Sequence, residues 1–189
     1  MMTSILLTGV GGQGTILTSK ILAAGLMEKG YDVKMSEIHG MSQRGGTVNT
    51  QIKYGEKIYA PNIGEGEADL IVAFEKVEAL RALPYLKKGG RIVMDDREIY
   101  SMPVLVGSAA YPHDADEVLK KVVKNVTVVP ASKIARELGN IKAQNICLLG
   151  ALIRALNLED IDWKKLITEN VPAKFLEVNL KAFEAGRKL

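Results

Sequence analysis

The stretch TSILLTGVGGQG, residues 3–14, decides the fold of this 189-residue chain. It begins with a short apolar run and ends in a glycine cluster, and the residues that follow place apolar side chains at helical spacing, as at Leu17 and Ile21. This order predicts a β-strand, a tight loop and an α-helix. Gly30 then fits a helix C-cap, and residues 31–36 alternate as a second strand does, so the chain opens as a β-α-β unit.

Strands and helices continue to alternate after this unit, with one interruption. Residues 48–54 and 58–60 predict an antiparallel hairpin whose short loop contains Gly55. The alternation predicts an α/β fold over residues 1–189: a three-layer sandwich with a mostly parallel, Rossmann-like sheet and an antiparallel hairpin insertion. The other predicted strands are 69–74, 91–94 and 126–129, and the other predicted helices are 76–86, 114–123, 131–139, 145–156, 161–168 and 173–185.

Composition and charge predict a globular cytoplasmic protein. Apolar residues make up 47% of the chain and charged residues 25%, with a net charge of +3. The lysines are scattered in pairs, a pattern typical of solvated helix faces and not of a nucleic-acid site. The longest apolar runs are far shorter than the roughly 20 residues of a membrane span, and no secretory signal opens the sequence. We expect neither a nucleic acid nor a membrane as partner.

The single cysteine and the two histidines argue against metal chemistry in this chain. An iron–sulfur cluster usually needs four thiolates and a disulfide needs two, whereas Cys147 is alone and lies in an apolar helical stretch. It is predicted to be a buried, inert thiol. His39 and His113 are far apart and have no carboxylate or thiol at a recognised metal spacing. No metal site is predicted.

Residues 9–14, which we name the first glycine motif, satisfy the pattern G-x-G-x-x-G between a strand and a helix. Glycines let the backbone approach a ligand, and the free N–H groups at the helix start favour an anion such as a phosphate. The alternative is that the glycines only permit a close turn. Gln13, a polar side chain predicted at the mouth of the loop, favours binding.

Glu37 allows a nicotinamide-dinucleotide interpretation. It ends the second predicted strand, 23 residues after Gly14, near the position where a dinucleotide-binding fold places its ribose-binding acid. A glycine-rich polar loop follows where such a fold would begin a second helix, which argues against this interpretation. A free-standing NAD(P)-dependent oxidoreductase remains an open alternative at this stage.

The loop after Glu37, with the sequence IHGMSQRGGTV, is the second glycine motif. It follows a strand at the carboxyl edge of the predicted sheet, where open α/β sheets bind ligands. Arg44 can bind a carboxylate or phosphate through two hydrogen bonds, and adjacent glycines let the backbone come close. The alternative is an ordinary surface loop. The candidate binding residues of the two motifs are Gly9, Gly11, Gly12, Gln13, Gly14, His39, Gln43, Arg44, Gly45 and Gly46.

The sequence GVGGQG at 9–14, followed by HGMSQRGG at 39–46, resembles the gamma-type domain of the pyruvate/ketoisovalerate (2-oxoacid) ferredoxin oxidoreductase family. The resemblance covers essentially the whole chain, through ADLIVAFE at 68–75, N-x-x-x-L-G at 145–150 and N-x-x-A-F-x-x-G at 179–186. Pyruvate and oxoglutarate members tend to carry a Y-G-P-E-x-R-G-G type of loop. The HGMSQRGG variant is similar to the indolepyruvate branch.

This resemblance implies a role in amino-acid catabolism by anaerobic, ferredoxin-linked metabolism. Members decarboxylate a 2-oxoacid with thiamine diphosphate, pass electrons through iron–sulfur clusters to ferredoxin and transfer the acyl group to coenzyme A. This chain has no G-D-G motif for the magnesium-bound diphosphate and only one cysteine. The resemblance therefore implies a small subunit that is inactive alone, with thiamine diphosphate, Mg²⁺ and 4Fe-4S clusters on a large (alpha) partner subunit. A pure scaffold, whose loops touch only that partner, remains an alternative.

Overall fold

The structure, a computed structural model, describes residues 2–39 and 46–189, with backbone only at His39. Within these ranges six strands form one sheet, and helices cover both of its faces. The strands are β1 Thr3–Val10, β2 Asp32–His39, β3 Thr47–Gly55, β4 Ala68–Ala73, β5 Leu86–Asp95 and β6 Asn125–Val129. The helices are α1 Thr15–Glu28, α2 Lys76–Ala82, α3 Met102–Leu105, α4 Ala115–Val122, α5 Ala131–Glu137, α6 Gln144–Leu156, α7 Trp163–Asn170 and α8 Ala173–Arg187.

The sheet has the order β2-β3-β1-β4-β5-β6. Strands β1, β4, β5 and β6 are parallel neighbours, whereas β3 is antiparallel to both β1 and β2. Helix α1 and helices α5 to α8 contribute to the larger core on one face, and α2 and α4 contribute to a smaller core on the other. The predicted three-layer sandwich with a mostly parallel sheet is confirmed.

The predicted position of the antiparallel hairpin is wrong. Strand β3 does not pair with residues 58–60, which are irregular; it lies between β1 and β2, with Asn49 opposite Thr8 and Gln51 opposite Ser36. Two full-length neighbours give the backbone of β3 hydrogen-bond partners on both sides, which a three-residue strand cannot do. Strands β1 and β2 are therefore co-directional but not adjacent, so the opening unit differs from an ordinary β-α-β crossover.

The apolar run of β1 is buried on both faces of the sheet. Ile5 and Leu7 pack into the larger core, and Leu6 packs into the smaller one. A strand that is covered on both sides reads as a continuous apolar run, which is why the sequence there shows no polar alternation. The first glycine motif consequently starts from a rigid central strand.

Helices α6 and α8 cross at two glycines. This close crossing explains the glycines that end the elements N-x-x-x-L-G at 145–150 and N-x-x-A-F-x-x-G at 179–186. A Cβ added at Gly186 would lie 1.9 Å from the carbonyl oxygen of Cys147, and one at Gly150 would lie 2.3 Å from that of Phe183. Only glycine permits this approach of backbones. Cys147 is completely buried, and burial raises the pKa of its thiol to about 12, so the prediction of a buried thiol is confirmed.

Candidate functional site

The structure joins the end of the second glycine motif, at Gly46, to the first motif at the carboxyl edge of the sheet. The backbone N–H of Gly11 donates to the carbonyl oxygen of Gly46 at 2.9 Å, so the start of β3 is joined to the loop after β1. Gln43, Arg44, Gly45 and the side chain of His39 lie outside the described residues. The site is therefore built here from the first motif and from the elements around it.

Glycine is needed at the positions of the first motif for different physical reasons. A Cβ on Gly9 would lie 3.0 Å from the Cβ of Phe74, and one on Gly14 would lie 2.4 Å from the amide nitrogen of Asn145. Gly12 has a φ of +97° but open space where a Cβ would be, and it is exposed. Gly9 and Gly14 thus serve close packing, and Gly14 also has a left-handed φ of +81°, whereas Gly12 presents left-handed backbone to solvent.

Gln13 holds the loop in shape instead of reaching out of its mouth. Its Oε1 accepts a hydrogen bond from the Val10 N–H at 2.7 Å, and its Nε2 donates to the Phe74 carbonyl oxygen at 2.6 Å. Only 9% of the residue is exposed. The Nε2 of Gln144, at the start of α6, donates to the same Phe74 oxygen at 2.9 Å. The first motif is thereby fixed to the end of β4 and to α6.

A cleft of about 440 Å³, here the cationic cleft, opens beside the first motif. Helix α1, the turn at 140–143, helix α8 and the connection after β5 form its walls, and together they provide two cations, several side-chain amides and an apolar surface. The lining residues are Gly12, Gln13, Gly14, Leu17, Arg97, Asn140, Ile141, Lys142, Asn145, Val171, Pro172, Phe175 and Asn179.

The charged groups of this cleft suit an anionic ligand. Arg97 donates to Oε1 of Gln144; burial lowers the pKa of its guanidinium, which nevertheless stays charged at neutral pH. The ammonium of Lys142 forms no ion pair within the described part of the chain. The first turn of α1 adds backbone N–H donors and the positive end of a helix dipole. The cleft can bind a phosphate with an attached organic group.

Sequence reasoning missed Arg97, Asn140 and Lys142. Arg97 follows the carboxyl end of β5, and the turn at 140–143 follows α5 and leads into α6. In open α/β sheets, connections beyond the carboxyl ends of parallel strands line the ligand crevice. Arg97 was therefore discoverable from its position after a buried strand, whereas the turn at 140–143 joins two helices and only tertiary packing reveals it.

A second groove, of about 680 Å³, lies on the other side of the first motif and is acidic at its base. Glu75 is buried and accepts from the Ile99 N–H at 3.2 Å, the Glu78 N–H at 3.0 Å and the Tyr111 hydroxyl. Glu78 is also buried, which raises its pKa, and it pairs with Arg81 at 2.7 Å. These carboxyl groups hold the surrounding segments in place and disfavour an anionic ligand here.

Glu37 does not occupy the position of a ribose-binding acid. It lies on β2, opposite Thr50 of β3, and β3 separates β2 from β1. Two strand spacings put the backbone of β2 about 10 Å from that of β1, whereas the dinucleotide fold places the strand of its acid next to the strand of its glycine loop. The free-standing NAD(P)-dependent oxidoreductase is not favoured.

The described residues offer no set of donors for a metal ion. No three His, Cys, Asp or Glu side chains within residues 2–39 and 46–189 cluster at ligating distance. His113 instead pairs with Glu98 at 2.9 Å. Across the same ranges, every helix is too short or too polar to cross a membrane.

Comparisons with known proteins place this fold in a family. The family model described as pyruvate ferredoxin/flavodoxin oxidoreductase matches residues 4–189. The indolepyruvate oxidoreductase subunit IorB of Thermococcus kodakarensis is 41% identical, over 98% of this chain and 94% of that protein.

Two solved structures share the fold. The gamma subunit of a keto/oxoacid ferredoxin oxidoreductase from Geobacter sulfurreducens PCA has a TM-score of 0.74 at 22% identity, covering 100% of this chain and 95% of its own. A 2-oxoglutarate:ferredoxin oxidoreductase from Magnetococcus marinus has a TM-score of 0.76 at 22% identity, covering 99% of this chain and 30% of its own. The chain belongs to the pyruvate ferredoxin/flavodoxin oxidoreductase family.

Proposed function

We propose that this chain is the small subunit of an indolepyruvate (arylpyruvate):ferredoxin oxidoreductase, which oxidatively decarboxylates arylpyruvates to acyl-coenzyme A in the cytoplasm. The observation that carries the proposal is the 41% identity to an indolepyruvate oxidoreductase subunit over nearly the full length of both chains. The loop variant HGMSQRGG favours the same branch. Residues 1–189 form one gamma-type domain in this proposal, and the role is in anaerobic amino-acid catabolism.

The cofactors belong to the large partner subunit in this proposal. The sequence has no G-D-G motif, its one cysteine is buried, and no metal-binding cluster forms within the described ranges. These residues do not fit thiamine diphosphate with Mg²⁺ or a 4Fe-4S cluster. The partner carries these groups and passes electrons to ferredoxin, while the small subunit completes the complex.

Reconstitution of the heteromer tests whether each subunit is inactive without the other. The purified chain, given an arylpyruvate, coenzyme A, thiamine diphosphate, Mg²⁺ and a dye acceptor, shows no turnover, and adding the large subunit starts it. Turnover by the lone chain contradicts the proposal, and so does a large subunit that is fully active alone.

The cationic cleft and the first glycine motif beside it receive coenzyme A in this proposal. Arg97 and Lys142 face its phosphates, and Leu17 and Phe175 offer apolar contact to the organic part. The Magnetococcus marinus enzyme was solved with coenzyme A and succinyl-CoA bound. Arg44 of the second motif lies outside the described residues and is proposed from the sequence as a further anion-binding cation.

Removing the positive charges of the cationic cleft distinguishes a coenzyme A site from a purely structural role of the chain. Lys142→Ala and Arg97→Ala each raise the KM for coenzyme A about 10- to 150-fold and leave the KM for arylpyruvate unchanged, since one lost charged hydrogen bond costs about 1.5–3 kcal/mol. Lys88→Ala, an exposed lysine near the start of β5 at the opposite edge of the sheet, is the control.

Arg44→Ala lowers activity with the heteromer intact. Unchanged kinetics in the Lys142, Arg97 and Arg44 variants together would show that the loops only contact the partner, as in a scaffold subunit.

A further inference from the structure

Residues 99–112, which we name the apolar segment, connect β5 to α4 and contain no charged side chain, although a quarter of the whole chain is charged. The segment forms one wall of the second groove. Its large apolar side chains point into solvent: Met102 is 68% exposed, Leu105 64% and Val106 67%. Isolated exposed apolar residues are common, but a contiguous apolar surface usually marks an interaction site.

The apolar segment is held in one conformation. The Leu105 N–H donates to the Ser101 carbonyl oxygen at 3.0 Å and the Val106 N–H donates to that of Met102 at 3.0 Å, which closes the short helix α3. Both ends of the segment are bound to one buried carboxylate, because Glu75 accepts from the Ile99 N–H and the Tyr111 hydroxyl. A surface that is ordered before binding loses little conformational entropy when a partner docks.

The flanks of the apolar segment carry more acidic than basic side chains. Glu98 precedes it and is paired with Lys76 at 3.4 Å and with His113 at 2.9 Å. Asp114 and Glu117 follow it, are exposed and form no ion pair among the described residues. A second copy of this chain, docked through the same patch by a two-fold axis, would bring like charges together. An anionic lipid surface would also be repelled, since membrane-binding segments carry basic flanks. The surface therefore fits a different protein that presents an apolar patch with basic residues at its rim.

The second groove connects the apolar segment to the glycine motifs. Val10 and Gly46 line the same groove as Met102 and Leu105, so the segment and the motifs share one edge of the sheet. In the Magnetococcus marinus enzyme the matching region is 30% of a longer chain, so there this fold is covalently joined to further protein. A partner that reaches the glycine motifs from this edge must pass the apolar segment.

We propose that the apolar segment docks the large subunit, as the apolar centre of the interface between the two chains. This inference rests on the proposed function, which supplies the partner. Met102, Leu105 and Val106 insert into an uncharged surface of the large subunit, and Asp114 faces basic side chains at its rim.

Two pairs of matched variants test the docking surface. Met102→Asp and Val106→Asp place a charge within the segment, and Met27→Asp and Val122→Asp do so at residues of similar exposure, 57% and 65%, on α1 and α4. Titration calorimetry and native mass spectrometry measure assembly with the large subunit, and circular dichroism checks folding. We expect a Kd at least 100-fold higher for each segment variant and within about threefold of wild type for the controls.

The outcomes are distinguishable from those of the proposed function. If the segment variants assemble as the controls do while wild type gives an active heteromer, the docking inference is wrong and the proposed function stands. If wild type forms no heteromer with the large subunit, both are wrong. Dimerisation of the lone chain that Val106→Asp abolishes, or sedimentation with phosphatidylserine vesicles, would also overturn the inference in favour of another occupant.

Discussion

Replacing Gln13 by alanine should destabilise the isolated chain, although Gln13 belongs to a motif associated with ligand binding. The substitution removes the acceptor of the Val10 N–H, and an unsatisfied buried donor costs about 1–3 kcal/mol. It also removes one of two donors to the Phe74 oxygen, which keeps its bond from Gln144, so that loss costs about 1 kcal/mol. The free energy of unfolding should fall by about 2–4 kcal/mol.

A double variant gives a sharper test, because Gln13 and Gln144 both donate to the carbonyl oxygen of Phe74. Gln144→Ala alone leaves Phe74 bonded to Gln13, but the double variant leaves the Phe74 oxygen without either donor. The two substitutions should therefore be more costly together than the sum of the single effects, by about 1 kcal/mol. Lys20→Ala, an exposed residue on α1, is the control and should change stability by less than about 0.5 kcal/mol.

Urea denaturation followed by circular dichroism measures all four variants without any ligand or partner. The midpoint should shift at an unchanged slope. A Gln13→Ala chain as stable as wild type, or strictly additive effects in the double variant, would refute the claim that this side chain holds the loop in place. Gln13 would then be free to serve a ligand.

Three further predictions concern the core and the sheet edge. Gly186→Ala should destabilise the chain by at least about 3 kcal/mol in the same assay, because its Cβ would lie 1.9 Å from the carbonyl oxygen of Cys147. Cys147 should resist iodoacetamide in the native chain and react fully in denaturant, as mass spectrometry would show; rapid native labelling would contradict its burial. Burial, with the neighbouring carboxyl of Asp96, raises the pKa of Asp95 to about 7, so the native state holds a proton that the unfolded state releases near pH 4. Stability should accordingly fall between pH 4 and pH 7, and Asp95→Asn should flatten this dependence; an identical slope in the variant would contradict it.

The sequence predicts the parallel part of the fold well because each of its strands carries a local signal. Residues 69–74 and 126–129 read as strands from their apolar runs, and the structure places β4 and β6 there within a residue or two. The pairing of β3 could not be predicted in this way. A strand's own residues show that it is extended. Whether β3 pairs with the nearby residues 58–60 or with the distant β1 depends on packing across the sheet.

The candidate site was only partly visible in the sequence for a similar reason. Glycine spacing identified the loop after β1, but spacing alone did not show that Gly9 and Gly14 are required by Phe74 and Asn145. The apparent binding role of Gln13 came from its polarity, which cannot distinguish an amide facing solvent from one bonded to the backbone. The cations of the cleft come from distant connections, so only the folded chain assembles them.

The hydrogen bond between Gly11 and Gly46 ties the loop after β1 to the segment that leads into β3. A ligand group that binds the first motif more tightly when this bond is formed also favours the bonded position of Gly46, and linkage requires the effect to be reciprocal. Two groups that occupy the two loops are then cooperative even if they never touch. Changes in binding at one motif should be measured in variants of both, since a substitution in either alters the coupling between them.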